Sequence, residues 1–83
     1  MATLFSDHAL FQIEERNILS KDILDCIVHP DKVVRQTMIR FRAMRIFKKD
    51  KKRYVLIVIY DKQEHADTSI VTAFISSKIK KYI

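Results

Sequence analysis

Apolar residues recur at helical spacing over the first third of the chain and at alternating spacing over the rest. Ala9, Leu10 and Ile13 share one face of a helix predicted from about Asp7 to Arg16. Ser6 is placed to cap it, Asp7 lies at its positive end, and Phe11 falls on the far side. Asn17 follows, where a helix usually closes on a left-handed glycine; asparagine is the next best residue for that backbone. Ser20 is placed to cap a second helix, from about Lys21 to Val28, with Ile23, Leu24, Ile27 and Val28 as its stripe. His29 sits at its negative end and Pro30 stops it.

From Asp31 onward the apolar period becomes that of strands. Lys32–Gln36 reads as a short strand. Met38–Lys48 reads as a longer one, with Ile39, Phe41, Ala43 and Phe47 on one face and Arg40 and Arg42 on the other. Asp50-Lys51-Lys52 makes a polar turn, and Arg53–Asp61, apolar on both faces, a central strand. Lys62–Asp67 is a polar loop, Thr68–Ile75 a fourth strand, and Ser76–Ile83 a basic tail able to form a short helix. Thr3–Phe5 has room for one added edge strand. The expected fold class is α+β: two N-terminal helices packed on a twisted antiparallel sheet of about four strands, one domain over residues 1–83.

Composition narrows the functions open to such a domain. An apolar fraction of 48% beside a charged fraction of 31% is that of a folded chain rather than a disordered one. Glycine is absent altogether, which excludes the glycine-rich loops that cradle dinucleotides or nucleoside triphosphates and the EF-hand calcium loop. The longest apolar run, Val55 to Tyr60, is far short of the roughly 20 residues that cross a bilayer. Met1–Asp7 lacks the basic-then-apolar build of a signal peptide, so a cytoplasmic location without membrane contact is expected. Cys26, the one cysteine, lies in an apolar helical stretch with no basic neighbour in sequence and reads as a packing residue.

Charge divides the chain. The net +6 resolves into an acidic segment, residues 1–31, and a strongly basic remainder that holds fourteen of the sixteen cations. An anionic partner would therefore meet the second part. This asymmetry also disposes of a helix-turn-helix reading of the first two helices, because Asp22 and Asp25 would face phosphates.

Phe5-Ser6-Asp7-His8-Ala9, Glu15-Arg16-Asn17-Ile18, Asp22-Ile23 and His29-Pro30-Asp31-Lys32-Val33 together resemble a small family of domains usually grouped with the RelE/BrnT-type toxins of toxin–antitoxin systems. That family has a His-Ala, an Arg-Gly-Ile, an Asp-Val and a Pro-Asp near the start, then a basic strand, an apolar strand and a strand ending near a threonine. Asn17 stands where the family places glycine. The resemblance implies a RelE-like fold and an endoribonuclease that needs neither metal nor cofactor. Its partners would be RNA, including ribosome-bound mRNA, and a cognate antitoxin, with homo-oligomerisation left open. The alternative is a nucleic-acid-binding or protein-interaction module on the same fold without catalysis.

Cleaving RNA without a metal uses the substrate's own 2′-hydroxyl as nucleophile. The protein then supplies a base, a proton donor for the leaving 5′-oxygen, and cations for the charge that builds on phosphorus. Arg40 and Arg42 would present two guanidinium forks on one strand face, or simply keep that face soluble. His8 would serve as base, or hydrogen-bond to the sheet. Arg16 is rotated away from His8 on an ideal helix and is expected to brace the helices by pairing with Asp22 or Asp31.

Tyr60, Thr72 and Tyr82 are candidate hydroxyl donors or stacking platforms. Tyr82 gains weight because RelE-type nucleases commonly place a functional residue near the C-terminus, although Ile79, Tyr82 and Ile83 also form a stripe that would dock on the core. Lys48, Lys49, Lys51 and Lys52 at the turn, with Lys80 and Lys81 in the tail, would attract nucleic acid or form solvated surface. His8, His29 and His65 lack ligand spacing, and Asp61, Glu64, His65 and Asp67 read as a polar loop, so no metal site is expected.

Overall fold

The computed structural model describes residues 3–63 and 67–83. The elements in order are β1 (Thr3–Phe5), α1 (Asp7–Glu15), α2 (Ser20–Val28), β2 (Lys32–Arg35), β3 (Arg40–Lys49), β4 (Lys52–Lys62), β5 (Thr68–Ser76) and α3 (Ile79–Tyr82). All five strands belong to one sheet of order β1-β5-β4-β3-β2. The expectation of two N-terminal helices on a four-stranded antiparallel sheet is therefore wrong in two respects. A strand precedes the first helix, and β1 pairs with β5 in parallel, Thr3 opposite Thr68 and Phe5 opposite Ile70, so the sheet is mixed. Thr3–Phe5 is the added edge strand that the sequence left room for; its parallel pairing was not legible, because its partner strand lies more than sixty residues away, beyond any local signal.

Local chemistry explains the helix ends. Ser6 Oγ accepts the Ala9 N–H at 3.0 Å, capping α1. At the other end Asn17 takes φ 55°, the Asn17 N–H donates to the Glu14 carbonyl and the Ile18 N–H reaches back to Ile13. This is a Schellman closure with asparagine in the glycine position, and Ile18 packs beside Ile13 in the core. The second cap differs from expectation. Ser20 is already the first residue of α2, whose N-cap is Leu19 with no side-chain cap bond. Asp22 supplies the favourable negative charge in that first turn.

β3 and β4 form a long hairpin around a two-residue turn, with Lys49 opposite Lys52. Asp50 and Lys51 both take positive φ, 51° and 68°, the backbone of a type I′ turn. Lys52 thus belongs to the strand rather than to the turn. β4 is central, and Val55, Leu56, Ile57 and Val58 are all buried because both faces of the sheet are covered. On one face α1 and α2 lay Ala9, Ile13, Ile23 and Cys26 against Ala43, Leu56, Val58, Tyr60, Ile70 and Ala73. On the other, Met44, Val55 and Ile57 pack with Phe74 and with Ile79 and Tyr82 of α3. Full burial of a side chain such as Ile57 is worth about 1.5–3 kcal/mol. Between Ile59 and Tyr60 the register with β5 shifts, leaving Val71 without an opposite number.

Candidate nucleic-acid interface

Strand alternation separates the candidate residues. Arg40 and Arg42 lie on the α3 side of the sheet, whereas His8 belongs to α1 on the opposite side. The four candidates for catalysis, Arg40, Arg42, His8 and Tyr82, are thus not brought to one point. Arg42 and Tyr82 do meet: the guanidinium carbon lies 5.9 Å from the centre of the Tyr82 ring. Lys81 Nζ stands 5.6 Å from the same ring, and Phe74 meets it edge-on at 5.9 Å. Tyr82 is therefore both a docked core residue and the neighbour of Arg42. Arg42 is half-buried, opposite Ile59 of β4 and Val34 of β2, and its Nε is enclosed with no hydrogen-bond acceptor among the described residues. A buried donor in that condition costs about 1–3 kcal/mol.

Arg40 has a partner. Its Nε and one terminal nitrogen donate to the two carboxylate oxygens of Asp61 at 2.8 and 3.1 Å, a bidentate pair across β3 and β4. The hydrogen bond to Asp61 raises the Arg40 pKa, and the same bond holds the Asp61 carboxyl below its ordinary value. Arg40 is thus neutralised by a carboxylate, whereas Arg42 forms no ion pair among the described residues. Sequence reasoning missed Asp61 because it took Lys52 into the turn; a two-residue turn at Asp50-Lys51 sets Arg40 opposite Asp61.

His8, Gln12, Thr72 and Arg16 form one chain of hydrogen bonds between α1 and β5. A terminal Arg16 nitrogen donates to the Ala73 carbonyl at 2.8 Å and to the Thr72 hydroxyl at 3.3 Å. The Thr72 hydroxyl donates to Gln12 Oε1, and the Gln12 amide nitrogen lies 2.9 Å from His8 Nε2. Arg16 thus ties α1 to β5 instead of pairing with Asp22 or Asp31. Asp31 is used otherwise: its carboxylate accepts the Ile46 N–H at 2.7 Å, extending the β2–β3 ladder by a side chain. Tyr60 is almost wholly buried and stacks on Phe41, and burial raises its pKa, so it offers no platform to RNA. Glu64 and His65 lie outside the described residues.

The lysines fall into two exposed groups. Lys48, Lys49, Lys51, Lys52 and Arg53 surround the β3–β4 turn, and Lys80 and Lys81 lie on α3. On the hairpin Lys48 stands directly opposite Arg53 and Lys49 opposite Lys52. Cys26 is buried, its Sγ 3.6 Å from the Ala43 carbonyl and 3.7 Å from that of Leu56. Burial pushes its thiol up to about 12, outweighing the opposing pull of Arg45, a basic neighbour that the fold supplies and the local sequence does not. Arg45 donates to the Asp25 carbonyl at 3.1 Å, near the negative end of α2. No helix of the described residues is long and apolar enough to cross a membrane.

The chain is thus a five-stranded mixed sheet with helices on both faces and a basic hairpin. It belongs to the DUF4258 family, a domain of unknown function, whose model matches residues 5–75. No curated protein and no solved structure matches it.

Proposed function

We propose that this chain is a toxin-like, RNA-directed domain of the cytoplasm, held in check by a partner protein of the antitoxin kind. It holds the phosphate backbone with the β3–β4 hairpin and acts on it with Arg42 and Tyr82. The observation that carries this reading is the pair of opposed cations at the hairpin end, Lys48 against Arg53 and Lys49 against Lys52. Like charges directly opposite on neighbouring strands destabilise a hairpin, and a bound polyanion turns that repulsion into attraction. Arg42 adds a half-buried guanidinium beside the Tyr82 ring; its Nε is enclosed, so a phosphate would be met by its terminal nitrogens.

Metal-independent RNA cleavage is the activity such a pair supports. As the 2′-oxygen bonds to phosphorus and the bond to the 5′-oxygen breaks, leaving a 2′,3′-cyclic phosphate, Arg42 would stabilise the charge on phosphorus. The Tyr82 hydroxyl would protonate the 5′-oxygen, and water would take the proton of the 2′-hydroxyl and return one to the phenolate. A second reading, RNA binding without cleavage, is favoured by one observation: His8, the candidate base, lies across the sheet from Arg42.

Induced expression in a bacterial host, scored for growth and RNA integrity beside Arg42→Ala, tests the proposal. Growth arrest with cleaved RNA, both lost in Arg42→Ala while purified protein still binds RNA, is the expected result. Salt-sensitive binding with intact RNA and normal growth selects the second reading. Absence of RNA binding by the purified protein overturns both.

A further inference from the structure

The β3–β4 hairpin runs past the helices, and between its inner face and the α1–α2 corner lies a cleft of about 750 Å³. Its floor is the cross-strand pair Phe47 and Tyr54, rings stacked with centres 5.7 Å apart. Leu19, which is 65% exposed, overhangs it from the α1–α2 corner. Asp22 and Asp25 of α2 line one wall, and their carboxylates form no ion pair among the described residues. Lys48, Lys49 and Asp50 line the side toward the hairpin, and Arg45 reaches from β3 to the α2 wall, where it donates to the Asp25 carbonyl.

We infer that this cleft is a nucleotide subsite that takes a guanine base, with the phosphate on the hairpin side; the inference rests on the RNA reading and names the base it prefers. A planar ring system fits an aromatic floor, and the volume lies within the usual range for small-molecule sites. Charge sets the orientation, because Asp22 and Asp25 repel a phosphate while Lys48 and Lys49 on the hairpin attract it and outnumber Asp50 there. An ionised carboxylate only accepts hydrogen bonds, so its two oxygens ask for two adjacent donors. Guanine supplies these on its N1 and exocyclic N2. Adenine and cytosine set an acceptor beside their amino group, and uracil flanks its one N–H with two carbonyls, so each presents a lone pair to the second oxygen.

Isotope-labelled protein titrated with guanosine and adenosine 5′-monophosphates, and with oligouridylate carrying one or no guanosine, tests this by NMR. The expected result is shifts at Leu19, Asp22, Phe47 and Tyr54, with the guanosine nucleotide bound about tenfold or more tightly than the adenosine one. Tyr54→Ala should weaken binding about tenfold while Tyr54→Phe retains it. The exposed pair Asp22→Asn and Asp25→Asn, together in one variant, should erase the difference between the two nucleotides with the fold unchanged. Equal affinities, shifts outside the cleft, or a preference that survives the double variant would overturn the inference. Oligouridylate that binds and gains nothing from its guanosine defeats the inference and leaves the RNA reading standing. Mononucleotide binding in the cleft without oligonucleotide binding does the reverse.

Discussion

Asn17, Cys26 and Asp61 show how much a single side chain decides in this fold. Asn17 holds a left-handed backbone that a β-branched residue tolerates poorly. Asn17→Val should therefore cost about 1–2 kcal/mol, read as a melting point lower by about 4–8 °C per kcal/mol, whereas Asn17→Gly should be neutral or better. Cys26, with its thiol pushed up to about 12, should resist thiol reagents in the folded protein and react once denaturant is added. Labelling that proceeds at the unfolded rate in native buffer would contradict the burial described. Asp61 has a folded pKa below its ordinary 3.8, so the unfolded chain takes up this proton first as pH falls. Its pairing with Arg40 is fully stabilising above that ordinary value and is lost as pH drops through the lowered one. Denaturation curves compared between about pH 5 and pH 2 should show wild type losing more stability than Asp61→Asn.

Among the elements, the β3–β4 hairpin carries the sharpest conflict between stability and use. Its turn forces Asp50 and Lys51 into positive φ, which glycine adopts without penalty. Lys51→Gly should thus gain about 0.5–1 kcal/mol, measured by thermal or chemical denaturation, while RNA affinity falls and its salt slope shallows by about 0.7 per lost contact. A drop in stability would mean that the turn is not the one described.

The same hairpin shows what was legible in the chain. Alternation placed Arg40 and Arg42 on one face and made the apolar run of β4 central, because each strand sits between neighbours that repeat its pattern. The cross-strand partner of Arg40 was not legible, since one residue of error in the turn moves every pairing. Contacts between distant segments were hidden for the same reason: Arg16 with Thr72, Arg42 with Tyr82, and the cleft under Leu19 depend on packing that no local period encodes.

Across the whole molecule, the charge asymmetry of the sequence becomes a layout in space. The acidic segment folds mainly into α1 and α2 on one side of the sheet, and the basic segment supplies the hairpin and α3. Binding to single-stranded RNA should therefore weaken steeply with salt, with a log–log slope near −3 if about four phosphates are contacted. Replacing Glu14 and Glu15 should leave that slope unchanged; a slope near zero would remove the electrostatic basis of the proposed function.

The parallel seam between β1 and β5 has a consequence for life at high concentration. β5 is nine residues long and rich in β-branched side chains, and β1 covers part of its outer edge with Thr3, Leu4 and Phe5. A strand of that kind with bare amide and carbonyl groups is a template for foreign strands. The guard is a short segment from the far end of the chain, so it docks only after a long loop has closed. Until then the outer edge of β5 is unpaired, so refolding at high protein concentration should yield more aggregate than refolding at low concentration, read by light scattering.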